Sequence, residues 1–125
     1  MAKNDYGVIV CIILSYMYEC LKAGKQVELE LMNPEALKLC DDYWMYIIRH
    51  LVKDGYIEGV LCTHTKEGYS FTFDDINITP KGIEYLQENS YMQKAKETVR
   101  SLANFTSLTS ALVKMGLTVA KLLIE

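Results

Sequence analysis

Two segments about two dozen residues apart constrain the fold of this chain more than any other feature. The first contains Gly55, which lies between a helical pattern and a strand-like stretch that begins at Tyr56. Glycine adopts the left-handed conformation without strain, so Gly55 indicates the end of a helix. The second, residues 78–86, contains Thr79 followed by Pro80. A threonine cap with a proline in the first turn indicates the start of another helix.

This order of helix, glycine, β-hairpin and capped helix is typical of a winged helix-turn-helix, so the sequence predicts an α+β fold. Upstream, apolar residues at helical spacing predict a largely buried first helix from Tyr6 to Lys22. Alternation over Gln26 to Met32 favours a short edge strand or an extended link. Asn33 is then expected to cap a short second helix that ends near Cys40.

A third helix is predicted from Asp41 or Asp42, one of which would be its cap, through Lys53. Spacings of three and four residues define its inward face, which comprises Trp44, Ile47, Ile48 and Leu51. In the winged-helix arrangement this third helix is the recognition helix.

The hairpin is expected to contain strands over Tyr56 to Cys62 and Tyr69 to Ile78, because both stretches are rich in β-branched and aromatic residues. Thr63 to Gly68 would form its exposed tip. The pair Asp74-Asp75 indicates a bulge in the second strand or its end.

A fourth helix is predicted over Thr79 to Asn89, with a new cap at Asn89-Ser90. Residues 1–90 would form the winged-helix domain and residues 91–125 an amphipathic helical extension, with a break near 104–110. The extension is expected to pack on the domain or to form a homodimer. Lys114 near the middle of its apolar part argues against a membrane span. The residues predicted for dimerisation are Val99, Leu102, Phe105, Leu108, Leu112, Met115 and Val119.

Charge is divided unevenly along the chain. Residues 1–90 carry eight basic and fourteen acidic side chains, whereas residues 91–125 carry five and two. DNA-binding domains usually present a basic surface, because phosphate contacts supply much of their affinity. The acidic first part therefore weakens a DNA-binding interpretation.

The sequence contains no motif for catalysis, for a cofactor or for a metal. It has no glycine-rich phosphate loop and no G-x-S-x-G nucleophile motif. His64 follows Cys62 closely, but no second pair of zinc ligands has the required spacing. The four cysteines include no C-x-x-C pair, which favours reduced, mostly buried thiols in a cytoplasmic protein. We therefore expect neither an enzyme nor a metalloprotein.

Several short segments together are typical of one protein family. They are Asn33 to Leu37, Tyr43-Trp44, Ile47-Ile48, Leu51, Gly55 to Val60 and Ile78 to Leu86. On these residues the chain resembles the YjcQ family of Gram-positive bacteria and their prophages. That resemblance extends over about residues 5–90 and implies a winged-helix fold, a phage-derived origin and a regulatory DNA-binding role in the bacterial cytoplasm.

A DNA contact surface would combine the outward face of the third helix with the tip of the hairpin. Arg49 could read a guanine edge, and Lys66 could reach a phosphate or the minor groove. The full set of predicted contacts is Tyr43, Tyr46, Arg49, His50, Lys53, His64, Thr65 and Lys66. The competing interpretation is that Arg49 and Lys53 are ordinary solvated surface charges.

Two functions therefore remain open at this point. One is a dimeric DNA-binding regulator. The other is a winged-helix protein-interaction module without DNA affinity, whose acidic surface engages a basic partner.

Overall fold

The computed structural model describes Ala2 and residues 4–102. The elements are helices α1 to α6 and strands β1 and β2, and the predicted α+β class is confirmed. In chain order they are α1 (Tyr6–Ala23), α2 (Leu29–Met32), α3 (Pro34–Leu37), α4 (Asp41–Lys53), β1 (Ile57–Thr65), β2 (Gly68–Ile78), α5 (Pro80–Glu88) and α6 (Ser90–Leu102).

Helix α1 lies at the centre of the core, where it contacts α5, α6 and β2. It is apolar around most of its circumference, and an uninterrupted run from Gly7 to Met17 is buried. A helix that is apolar all round requires neighbours on every side. Its length and composition would also allow it to cross a membrane, but 67% of the helix is buried inside the protein. Here its apolar surface is covered by the chain itself.

The segment between α1 and α3 follows its prediction only in part. A short edge strand or an extended link was expected over Gln26 to Met32. Residues 25–28 form a link without helix or strand, but Leu29–Met32 forms α2, and among the described residues the sheet consists of β1 and β2. The amide of Glu28 donates to the Tyr16 hydroxyl (2.9 Å) instead of to a neighbouring strand. The helical turn also buries Met32, whose carbonyl oxygen accepts a hydrogen bond from the indole of Trp44 (2.8 Å).

The caps around α3 and α4 confirm one prediction and correct two. Asn33 caps α3 as expected, accepting from the Ala36 amide (2.7 Å). However, α3 ends at Leu37 and not near Cys40. Cys40 itself is the N-cap of α4, while the predicted caps, Asp41 and Asp42, occupy its first turn. Carboxylates are favourable there because of the helix dipole, without any capping hydrogen bond. No disulfide joins the four cysteines, in line with the predicted reduced thiols. Cys11 and Cys20 are buried and Cys62 is partly buried, whereas Cys40 is exposed and departs from the expected burial.

A compact joint connects the end of α4 to the start of α5. Gly55 is left-handed (φ 79°), and the amides of Gly55 and Tyr56 close the last turn of α4 on the carbonyls of Val52 and Leu51. The Thr79 hydroxyl accepts from the Gly82 amide (3.0 Å) and donates to the Gly55 carbonyl, while the Thr79 amide donates to the Tyr56 carbonyl (3.0 Å). Both predicted caps, Gly55 and Thr79, are confirmed, and a hydrogen bond joins them.

The hairpin extends beyond its predicted strands. Thr63 to Gly68 was expected to be the exposed tip, but β1 continues to Thr65 and β2 begins at Gly68, which leaves a two-residue turn at Lys66 and Glu67. The predicted bulge is confirmed. Glu58 pairs with Asn77 and Val60 with Phe73, so one residue of β1 lies opposite residues 74–76 of β2. The hairpin packs on α4 through Trp44, whose ring lies 5.9 Å from that of Phe71 and 6.3 Å from that of Phe73.

Helix α6 packs back onto α1. Asn89 caps it, as predicted, by accepting from the amides of Tyr91 (2.9 Å) and Met92 (3.3 Å). The Tyr91 hydroxyl accepts from the Gly7 amide at the start of α1 (3.0 Å). Val99, one of the residues predicted for dimerisation, is fully buried in this core together with Met92 and Ala95. Its side chain is therefore already covered within one chain.

The other residues predicted for dimerisation cannot be placed in the same way. Leu102 ends α6, and Phe105, Leu108, Leu112, Met115 and Val119 lie outside the described residues, as does the predicted break near 104–110.

We predict that Gly82→Ala destabilises the protein more than any change on the exposed face of α5. A Cβ at this position would lie 2.2 Å from the Tyr56 carbonyl oxygen, so α5 would have to move away from the joint. Overpacking of this kind costs about 1–3 kcal/mol. Chemical denaturation would measure the loss of stability. Glu84→Ala, at an exposed position on the same helix, serves as the control and should change the free energy of unfolding by less than about 0.5 kcal/mol.

Candidate functional site

The structure brings four of the eight predicted contact residues into one row across α4 and the hairpin. We call this row the aromatic strip. Two tyrosines and both histidines lie around one arginine, and Tyr6 from α1 adds an edge-on contact to Tyr46 (6.3 Å between ring centroids). The members of the strip are Tyr6, Tyr46, Arg49, His50, His64 and Tyr69.

Arg49 joins the helix part of the strip to the hairpin part. Its guanidinium carbon lies 4.1 Å from the ring centroid of Tyr69 and 5.7 Å from that of Tyr46. Such cation–π contacts favour a guanidinium because it is planar and more weakly hydrated than an ammonium. The Nε atom of Arg49 is buried and has no hydrogen-bond partner. Among the described residues, no carboxylate lies within ion-pair distance of this side chain.

The two histidines of the chain lie on either side of this arginine. The His50 ring is 4.2 Å from the Tyr46 ring, one turn away on α4. The His64 ring is stacked on Tyr69 at 4.5 Å, with 16° between the ring planes. Each histidine therefore contacts a tyrosine that Arg49 also contacts.

Tyr69 and Tyr6 were not among the predicted contact residues. The signal for Tyr69 was present in the alternation Tyr69, Phe71, Phe73, since residues two apart lie on one face of a strand. That face packs on α4, and His64 is the residue directly opposite Tyr69 in the ladder. No comparable signal in the sequence brings Tyr6 to α4.

Two of the predicted contact residues have structural partners. The Tyr43 hydroxyl donates to the Asn4 carbonyl (2.7 Å), which ties the N-terminal segment to α4. The Thr65 hydroxyl donates to the Gly68 carbonyl (3.0 Å) and accepts from the Glu67 amide (3.3 Å), which closes the hairpin turn. Lys53 and Lys66 are exposed, one at the end of α4 and the other in the hairpin turn.

The charges around the strip have both signs. Asp41 and Asp42 are exposed in the first turn of α4, and Glu67 lies beside Lys66 in the hairpin turn. The adjacent carboxylates of Asp74 and Asp75 are far along β2 from that turn, at the bulge. Among the described residues, neither Lys53 nor Lys66 has a carboxylate within 4.0 Å. Arg49, Lys53 and Lys66 are thus not neutralised by ion pairs with the described part of the chain.

Burial raises the pKa of two tyrosines, Tyr6 in the strip and Tyr43 on α4. Desolvation, assisted by the nearby Tyr85 and Asp54, raises the pKa of Tyr6 to about 12. Desolvation also raises the pKa of the Tyr43 hydroxyl, with a smaller contribution from Asp5. Both phenols therefore stay neutral and can donate hydrogen bonds well above physiological pH.

Two shallow grooves are lined by residues that are not members of the strip. One, of about 350 Å³, runs beside the bulge of β2 and is lined by Gln26, Val27, Leu29 and residues 73–76. The other, of about 260 Å³, lies where Tyr56 stacks on Tyr85 at 4.2 Å beneath Lys81. No group of three or more potential metal ligands is present in the part of the chain that the structure describes.

Comparison with known proteins identifies a family for this chain. The model of a family described as YjcQ protein matches residues 12–105, which is most of the chain. This agrees with the resemblance noted from the sequence. No curated protein and no solved structure matches the chain.

We predict that Arg49 and Tyr69 stabilise the fold cooperatively. The double-mutant cycle of Arg49→Met and Tyr69→Leu should give a coupling energy of about 0.5–2 kcal/mol, the range for a cation–π contact between exposure and burial. Thermal or chemical denaturation of the four proteins would measure it. The cycle of Lys53→Met with Tyr69→Leu is the control, and equal coupling in both cycles would contradict the assigned contact.

We also predict a loss of stability between about pH 10 and pH 12. The pKa of each of Tyr6, Tyr16 and Tyr85 is raised to about 12, primarily by burial. In the unfolded chain these phenols would ionise near pH 10, so unfolding releases protons above that pH. Their contribution is complete below pH 10 and disappears as the pH rises through 12. Tyrosinate absorbance recorded beside circular dichroism would test this, and ionisation of all nine tyrosines near pH 10 without unfolding would refute it.

Proposed function

We propose that this chain, which belongs to the YjcQ family, is a winged-helix DNA-binding regulator that contacts DNA through α4 and the hairpin. In this proposal α4 is the recognition helix and the hairpin is the wing. The order of α4, joint, hairpin and α5 supports the assignment, as does the packing of Trp44 between α4 and the hairpin. The aromatic strip would then lie along the nucleic acid.

The observation that carries the proposal is the position of Arg49. It lies where α4 meets the hairpin, is held by tyrosines from both elements, and has no carboxylate partner among the described residues. A guanidinium held in one orientation loses less conformational entropy when it binds a base edge or a phosphate. Arginine is also the commonest reader of guanine in the major groove.

Two lysines extend this surface at its ends. Lys53 is in the last turn of α4, and Lys66 is in the hairpin turn. Lysines on either side of a central arginine suit a protein that uses them for phosphate contacts and the arginine for base contacts. Tyr46 and Tyr69, which are 47% and 36% exposed, would add contacts to the sugar and phosphate groups.

The proposal includes the setting in which such a regulator acts. We propose a homodimer in the bacterial cytoplasm, phage-associated, with the apolar stripe beyond Leu102 as the dimer contact. A dimer would present two copies of α4 to two half-sites. Because Val99 is already buried within one chain, the proposed dimer contact consists of the apolar residues that follow α6.

The acidic charge of the first 90 residues supports a second candidate function. Fourteen carboxylates against eight cations weaken phosphate binding, and tyrosine and arginine are enriched in the cores of protein interfaces. In this alternative the chain is a protein-interaction module without DNA affinity, whose surface engages a basic partner.

We predict that Arg49→Ala and Lys66→Ala each weaken binding to a generic labelled duplex. Each phosphate contact that a substitution removes should reduce the salt slope by about 0.9, and the affinity at 0.1 M salt should fall by about eightfold. Fluorescence anisotropy at several salt concentrations would measure both quantities. Arg49→Lys, which keeps the charge but removes the planar group, should bind with an intermediate affinity if the base contact matters.

Lys25→Ala is the matched control, because Lys25 is an exposed lysine that follows α1 and is remote in sequence from α4 and the hairpin. Equal reductions of affinity in the control and in Lys66→Ala would contradict the assigned surface. Absence of binding at tens of micromolar protein in low salt would contradict the DNA proposal and favour the interaction module.

A further inference from the structure

We infer that DNA binding by this surface is coupled to protonation of His50 and His64, so that the affinity rises as the pH falls from 8 to 5.5. The inference rests on the proposed DNA-binding function and concerns its regulation. Histidine is the side chain whose charge ordinarily changes in this pH range. The observation behind it is that both histidines of the chain lie in the aromatic strip beside Arg49.

The position of each histidine places its charge next to the proposed DNA contact. His50 stacks on Tyr46 and His64 on Tyr69, and Arg49 contacts both tyrosines. Protonation would raise the number of cations along α4 and the hairpin from three (Arg49, Lys53 and Lys66) to five. It adds charge where the surface would meet phosphates and leaves the remaining acidic surface unchanged near neutral pH.

The charged and titratable groups near each histidine include no described carboxylate close enough to form an ion pair with the protonated ring. His50 faces Tyr46, with Arg49, Lys53 and Asp54 nearby in sequence on α4, and Tyr6 reaches Tyr46 from α1. His64 faces Tyr69, with Lys66 and Glu67 in the adjoining turn and Arg49 across from it on α4. Among the described residues no carboxylate lies within 4.0 Å of either ring.

A protonated histidine would therefore lie close to Arg49 without a carboxylate from the described residues to pair with it. Like charges close together favour the binding of an external anion, and a phosphate would relieve the repulsion. By linkage, DNA that favours the protonated form must also increase the proton affinity of the two histidines. Binding near neutral pH would take up protons from the solution.

The experiment measures anisotropy with the full chain and a generic duplex, over a salt series at pH 8.0 and at pH 5.5. At pH 5.5, two additional phosphate contacts would steepen the salt slope by about 1.8 and raise the affinity at 0.1 M salt about 60-fold. A single additional contact would steepen the slope by about 0.9 and raise the affinity about eightfold. The double variant His50→Gln, His64→Gln should lose the pH dependence, so that its affinity at pH 5.5 equals its own affinity at pH 8.0. Circular dichroism of each protein at both pH values confirms that it is folded.

A second double variant, His50→Lys, His64→Lys, carries the charge permanently. It should bind at pH 8.0 as tightly as the wild type does at pH 5.5. Binding that is insensitive to pH, or an increase that persists in the glutamine variant, would overturn the inference while the DNA proposal stands. Absence of binding by the folded wild type at both pH values would overturn both.

Discussion

The hydrogen bonds of Thr79 are the interaction on which the positions of the other elements depend. Its hydroxyl caps α5 and also reaches the carbonyl of Gly55 at the end of α4, while its amide bonds to the carbonyl of Tyr56. Immediately beyond this joint, Ile57 and Ile78 pair as the first rung of the hairpin. The three hydrogen bonds of this one residue therefore hold together the end of α4, the start of α5 and the base of the hairpin. The close approach also requires a residue without a side chain at position 82, since a Cβ there would meet the backbone of Tyr56.

The joint fixes the base of the hairpin, and Trp44 fixes its orientation. The indole packs against Phe71 and Phe73 and donates a hydrogen bond to Met32, so α2, α4 and β2 meet at one side chain. Because the side chains of a strand alternate, Tyr69 must share the face of Phe71 and Phe73 and so must also face α4. The aromatic strip is a consequence of this packing. Arg49, further along α4, then meets Tyr69.

The net negative charge of the first part of the chain opposes DNA binding, but this packing decides which charges lie on the proposed contact surface. The first 90 residues are acidic overall, yet Arg49, Lys53 and Lys66 have no carboxylate partner among the described residues. The local charge around Arg49 is therefore decided by which side chains lie there and not by the total. Acidic residues lie nearby, at the start of α4 and in the hairpin turn, and offset part of the positive charge of this surface. Along α4 and the hairpin, the two histidines lie among three permanent cations, Arg49, Lys53 and Lys66.

The sequence by itself determined the elements whose ends are encoded locally. Gly55, Thr79, Asn33 and Asn89 act through hydrogen bonds or dihedral angles within a few residues of themselves, and each was predicted correctly. It also identified the family and most of the side chains that form the strip, because a helix face and a strand face follow from simple periodicity.

Only the tertiary structure decided the features that depend on distant partners. Gln26 to Met32 has a strand-like alternation, but burial of Met32 beneath Trp44 requires a helical turn there, which outweighs the local preference. The contact of Arg49 with Tyr69 joins residues twenty positions apart, and that of Tyr6 with Tyr46 joins residues forty apart. No local pattern encodes such pairs. The first pair exists because the joint at Thr79 and the packing of Trp44 hold the hairpin on α4. The second exists where the hydrogen bond from Tyr43 to Asn4 ties the segment before α1 to α4.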